Sequence, residues 1–114
     1  MIDPVATARN EVAGIFKGRI ERIERQLNAV LSGAIERNFV LTCGHGIYIR
    51  KSGHEVEGTG IENATRFSAA KGRELAPLIK NGNGERAAVM DVQLALERDL
   101  ADVKAGLLQI EVCA

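Results

Sequence analysis

The chain has 114 residues, the size of one domain and too few for a second core of ordinary size. Hydrophobic residues make up 46% and charged residues 26%, which excludes intrinsic disorder, collagen-like repeats and a transmembrane bundle. Fifteen Lys and Arg balance fifteen Asp and Glu, so the basic footprint of a general nucleic-acid binder or an anionic-membrane binder is missing and any anion site must be local.

With no tryptophan, one tyrosine and three phenylalanines (Phe16, Phe39, Phe67), the core falls to Leu, Ile, Val and Ala. The start lacks the charged and apolar regions of a signal peptide, and no apolar run approaches the roughly 20 residues that span a bilayer. The expected location is the cytoplasm. Cys43 and Cys113 are too few for a secreted disulfide framework and read as two free thiols.

From Val5 the apolar positions Val5, Ala8, Val12, Phe16, Ile20, Ile23, Leu27, Val30 and Ala34 recur at steps of three and four, which predicts a long amphipathic helix over about 4–36. Asp3 suits its cap and Pro4 its first turn. Alternation then takes over. Phe39, Leu41 and Cys43, then Ile47 and Ile49, with turns at Cys43-Gly44-His45-Gly46 and Ser52-Gly53, predict an antiparallel β-meander of two or three strands over about 38–62. Thr65 or Ser68 can cap a short helix over about 66–80 that Pro77 kinks or stops. Asn81-Gly82-Asn83-Gly84 marks a tight corner, because Asn and Gly enter left-handed backbone space with least strain. Beyond it Val89, Val92, Leu96, Leu100, Val103, Leu107 and Ile110 predict a second long helix over about 85–111 with a coiled-coil-like seam.

The expected fold class is therefore α+β, a single domain with two long amphipathic helices and a short kinked helix around a small antiparallel β-meander. Two apolar seams exceed what so little sheet can cover, which points to a homodimer or a higher even oligomer such as a hexamer. The alternative is a hairpin of the first and last helices within one chain.

Few constellations carry chemistry. Cys43, His45, His54 and Cys113 lack the paired spacings of a compact zinc site, and Cys43 and His45 lack a third orienting group. The carboxylates lie mostly four residues from a Lys or Arg, where solvated ion pairs are the default, so no acid/base dyad is expected and the chain reads as a non-enzyme without a cofactor or metal. The segment from Thr65 to Arg98 holds more. Arg66-Phe67 lies at the entry to the short helix, Asn81 and Asn83 sit in the strained corner, and Arg86 and Arg98 are expected on the last helix. An aromatic face, amide donors at a helix start and guanidinium forks are the parts that hold a base, a ribose and a pyrophosphate. The other reading makes Phe67 core, the Asn-Gly run a corner, and the arginines solvated.

A long N-terminal helix, a β-meander, a kinked helix, an Asn-Gly turn and an arginine-bearing last helix resemble in layout the phage Thoeris anti-defence proteins of the first Tad family. Those are non-enzymatic sponges that sequester cyclic ADP-ribose isomers made by bacterial TIR-domain enzymes. The resemblance implies sequestration of a small cyclic nucleotide in the host-cell cytoplasm to block anti-phage defence. It makes Phe67 the stacking ring, Asn81 or Asn83 the amide and Arg98 the phosphate ligand. A further family arginine one turn on falls at Asp102, so Arg86 or an arginine of a second subunit would take its place. Arg19, Arg22 and Arg25 are candidates for a second, cyclic oligonucleotide site. The alternative function is a structural or adaptor oligomer, for instance of a phage particle.

Overall fold

The computed structural model describes residues 3–34, 38–80 and 84–112. Its elements are α1 (Pro4–Leu31), β1 (Phe39–Thr42), β2 (Tyr48–Ser52), β3 (Glu55–Thr59), α2 (Ala69–Leu75), β4 (Ala88–Asp91) and α3 (Val92–Val112). Single 3-10 turns occupy Ile61–Asn63 and Ala76–Leu78. The α+β class and the set of two long helices and a short one are as expected; the sheet has a strand more than the meander.

That strand is β4. Phe39, Val40, Leu41 and Thr42 pair antiparallel with Asp91, Met90, Val89 and Ala88 to give the order β3-β2-β1-β4. Val89 continues the helical spacing of the last seam by coincidence, which is why the sequence alone extends that helix back to about 85. The helix instead begins at Val92, where Asp91 Oδ1 accepts from the amides of Gln93 (2.9 Å) and Leu94 (3.3 Å) and so caps two donors that the first turn leaves free.

Period-2 alternation divides the core between the two faces of this sheet. Val40, Tyr48 and Met90 join Ile23, Val30, Leu96 and Val103 of the long helices on one face. Leu41, Ile49 and Val89 join Phe67, Ala76 and Ala87 on the other, under α2 and its 3-10 extension. Ser68 is the residue that caps α2, its hydroxyl accepting from Lys71 N at 3.2 Å, and Pro77 converts the last turn to 3-10 geometry. The β1–β2 connection needs left-handed backbone at Gly44 (φ +118°) and Gly46 (φ +76°), as its Gly-His-Gly sequence suggests.

Asp3 caps α1, accepting from Val5 N at 3.0 Å, and the helix ends at Leu31, short of the expected 36; residues 35–37 lie outside the described ones. α1 and α3 close on each other as an antiparallel pair: Phe16 reaches Gly106 while Arg19 reaches Asp99. The intramolecular hairpin is thus present, but it outruns the sheet. Ile23 and Val30, the buried residues of α1, lie in its second half. The molecule measures 56 × 37 × 22 Å with a radius of gyration of 16.3 Å, against about 13 Å for a compact domain of this length.

Candidate functional site

The residues expected to form one pocket are distributed over the fold. Phe67 is 9% exposed and packs in the cluster under α2, and its backbone pairs with Phe39 through hydrogen bonds of 2.7 and 2.9 Å. Arg98 belongs to α3 on the opposite face of the sheet, beside Tyr48, so one chain does not bring Phe67 and Arg98 together. Phe67 is core, as the second sequence reading had it. Arg86 is exposed and precedes β4, where its backbone pairs with that of Lys80; it is not on the last helix, because that helix starts six residues later. Asn81 and Asn83 lie outside the described residues. Arg66 Nη2 donates to Gln26 Oε1 at 3.4 Å, and Gln26 Nε2 donates in turn to the Glu62 carbonyl at 2.9 Å.

Polar chemistry gathers elsewhere, where α1, α3, the Ile61–Asn63 turn and the β1–β2 connection meet. Arg19 grips Glu62 with two parallel bonds, Nε to Oε2 at 2.9 Å and Nη2 to Oε1 at 3.0 Å, and Nη2 also reaches Asp99 Oδ2 at 3.2 Å. Arg22 Nη2 stands 3.9 Å from Glu62 Oε2. The acid side chains are 7% (Glu62) and 5% (Asp99) exposed, so the arginine is what makes their burial tolerable. Arg19 is thereby committed to acids within the chain, whereas Arg22 is half exposed beside Glu62.

The two carboxylates respond in opposite directions. Burial pushes Glu62 up, but the Arg19 hydrogen bonds and charge outweigh it and hold Glu62 below its ordinary value. Burial and the neighbouring Glu62 charge leave Asp99 above its ordinary value in spite of Arg19. Burial also raises the Tyr48 hydroxyl, against the lowering influence of Arg98; neither Tyr48 Oη nor Arg98 Nε meets a partner in hydrogen-bonding geometry. His45 Nε2 lies 2.6 Å from Asp102 Oδ2 and ties the glycine-flanked connection to α3, although both side chains are well exposed.

These groups line a cleft of about 280 Å³ bounded by Phe16, Arg19, His45, Gly46, Asp99, Asp102, Val103 and Gly106. Its lining has no Ser, Thr, Cys or Lys nucleophile, and no three His, Cys, Asp or Glu side chains cluster as a metal set among the described residues. Through Phe16 and Gly106 the cleft opens into a larger apolar groove of about 560 Å³ along the free end of the α1–α3 hairpin, lined by Ala8, Arg9, Val12, Gln109 and Ile110 as well. No described helix is long and apolar enough to cross a membrane.

Sequence reasoning missed the buried acids because it looked for partners four residues away, whereas Glu62 and Asp99 find theirs 43 and 80 residues off in Arg19. A signal was present. Asp99 falls between Leu96 and Val103 on the stripe of α3 that the core takes, and a charged residue there must meet an opposite charge.

No protein-family model matches the chain, and neither a curated protein nor a solved structure matches it.

Proposed function

We propose that this chain is a non-enzymatic binding protein that works as a self-assembled oligomer and withholds a small cyclic nucleotide of the cyclic ADP-ribose isomer type without turning it over. The observation that carries the assembly is the open apolar groove at the hairpin end, a surface that water penalises and that a soluble monomer of this size has little reason to keep. The ligand reading is supported by the family resemblance in layout. Phe67 packs in one cluster with Ile79 and Ala87, so its part is to hold the core there rather than to stack on the ligand. Arg66, Arg86 and Arg98 are then the cationic groups for the phosphates, drawn from more than one copy, with Asn81 and Asn83 as amide donors. The biological consequence would be relief of anti-phage defence in the host cytoplasm.

The burial of Phe67 favours a second reading, a structural or adaptor oligomer that assembles in the same way and takes no nucleotide. Incubation with a panel of cyclic nucleotides, ultrafiltration, and heating of the retained protein separates the two. Depletion of one nucleotide and its intact release on heating supports sequestration. Failure to deplete any leaves the adaptor reading, and product that grows with protein and time requires an enzyme.

A further inference from the structure

The groove at the hairpin end is concave, and the same chain carries a convex counterpart. Leu94, Ala101, Ala105, Leu108 and Val112 follow one another on α3 at steps of seven, four, three and four, which aligns them on one side of the helix. That side is opposite to the stripe Val92, Leu96, Asp99 and Val103 that the core buries. All five are exposed, Leu108 by 61% and Val112 by 73%. A helix that is apolar on two opposite faces is expected to be covered on both.

The dimensions match. Ala8 to Phe16 along the groove is eight helical steps, about 12 Å at 1.5 Å per residue, and Ala105 to Val112 along the stripe is seven, about 11 Å. Ala101 and Ala105 are small enough to let the backbone of α3 approach a groove between two helices, while Leu108 and Val112 supply the side chains to fill it. Charge agrees with this arrangement. Arg9 lines the groove and Glu111 borders the stripe beside Leu108 and Val112, and neither forms an ion pair with a described residue of its own chain. A helix laid in such a groove buries on the order of 1,000 Å² in total, the low end for a specific interface, so contacts repeated around a closed assembly would reinforce one another.

We propose that the outer stripe of α3 in one copy docks into the α1–α3 groove of the next, a head-to-tail contact that closes into a ring or continues as a filament. The inference rests on the self-assembly reading above and adds which surfaces meet and in what symmetry. It excludes a two-fold contact of stripe with stripe or groove with groove.

Val12→Asp disables the groove and Leu108→Asp the stripe. Both positions are exposed, at 42% and 61%, so both variants should keep the parent's circular dichroism; Ala8→Glu and Val112→Asp stand in if either does not. Light scattering should show the parent assembled and each variant monomeric by itself. An equal mixture of the two should give a species of two chains, because the stripe of the Val12 variant still fits the groove of the Leu108 variant. A Val12 variant that self-associates would establish a stripe-to-stripe contact, a Leu108 variant that self-associates a groove-to-groove contact, and either overturns the proposal while self-assembly stands. A mixture that stays monomeric overturns it as well. A monomeric parent overturns both this contact and the assembly it rests on.

Discussion

Arg19→Met removes the charge that holds two buried acids while keeping much of the aliphatic stem. In the parent, Arg19 donates twice to Glu62 and once to Asp99 at 2.9–3.2 Å, and those acids are nearly sealed from water. Breaking a buried pair from one side typically costs about 3–5 kcal/mol. Two features reduce that figure: the Arg19 side chain is itself 30% exposed, so water reaches the gap, and Arg22 stands 3.9 Å from Glu62 and can move in. The expected loss is about 2–4 kcal/mol, a large part of the stability of a domain this size, and a fall in Tm of roughly 8–16 °C. Urea denaturation at one fixed protein concentration measures it, because assembly makes apparent stability depend on concentration. A cycle with Glu62→Gln should return a coupling above about 1 kcal/mol. A loss under about 0.5 kcal/mol for Arg19→Met, with coupling near zero, would refute the idea that this arginine makes the burial of the acids possible.

Phe67→Ala should cost about 3–5 kcal/mol without any ligand present, seen as a lower urea midpoint, because the ring fills the cluster under α2. The acids predict opposite pH trends between pH 7 and pH 4. Asp99 is raised in the fold, so its contribution is present below its unfolded value and lost as pH rises through the folded one; Asp99→Asn should compare best with the parent at pH 7 and worst at pH 4. Glu62 is lowered, so its contribution exists above its unfolded value and is lost as pH falls; Glu62→Gln should be most damaging at pH 7 and less so at pH 4. Gly44→Ala forces a side chain into φ +118° and should cost about 1–3 kcal/mol in the same assay.

The long helices, the Gly-His-Gly and Ser-Gly turns and the Ser68 and Asp3 caps were legible because each depends on residues near it in sequence. β4 was not. Whether Ala88–Asp91 is strand or helix is decided by pairing with Phe39–Thr42 almost fifty residues earlier, and Val89 fits either period. The site was less legible for the same reason. Phe67 and Arg98 lie 31 positions apart with a sheet between them, and only the alternation of Val40 and Leu41 to opposite faces, once β1 is placed centrally, shows that they cannot meet within one chain. The Arg19–Glu62–Asp99 cluster joins three elements distant in sequence, and a carboxylate in an apolar seam was its sole local trace.

Sedimentation velocity over a dilution series tests the assembly of this chain most directly. The open groove predicts a mass at a multiple of the 12.3 kDa chain that falls toward a single chain as the protein is diluted. A single species of 12.3 kDa at every concentration reached would contradict it.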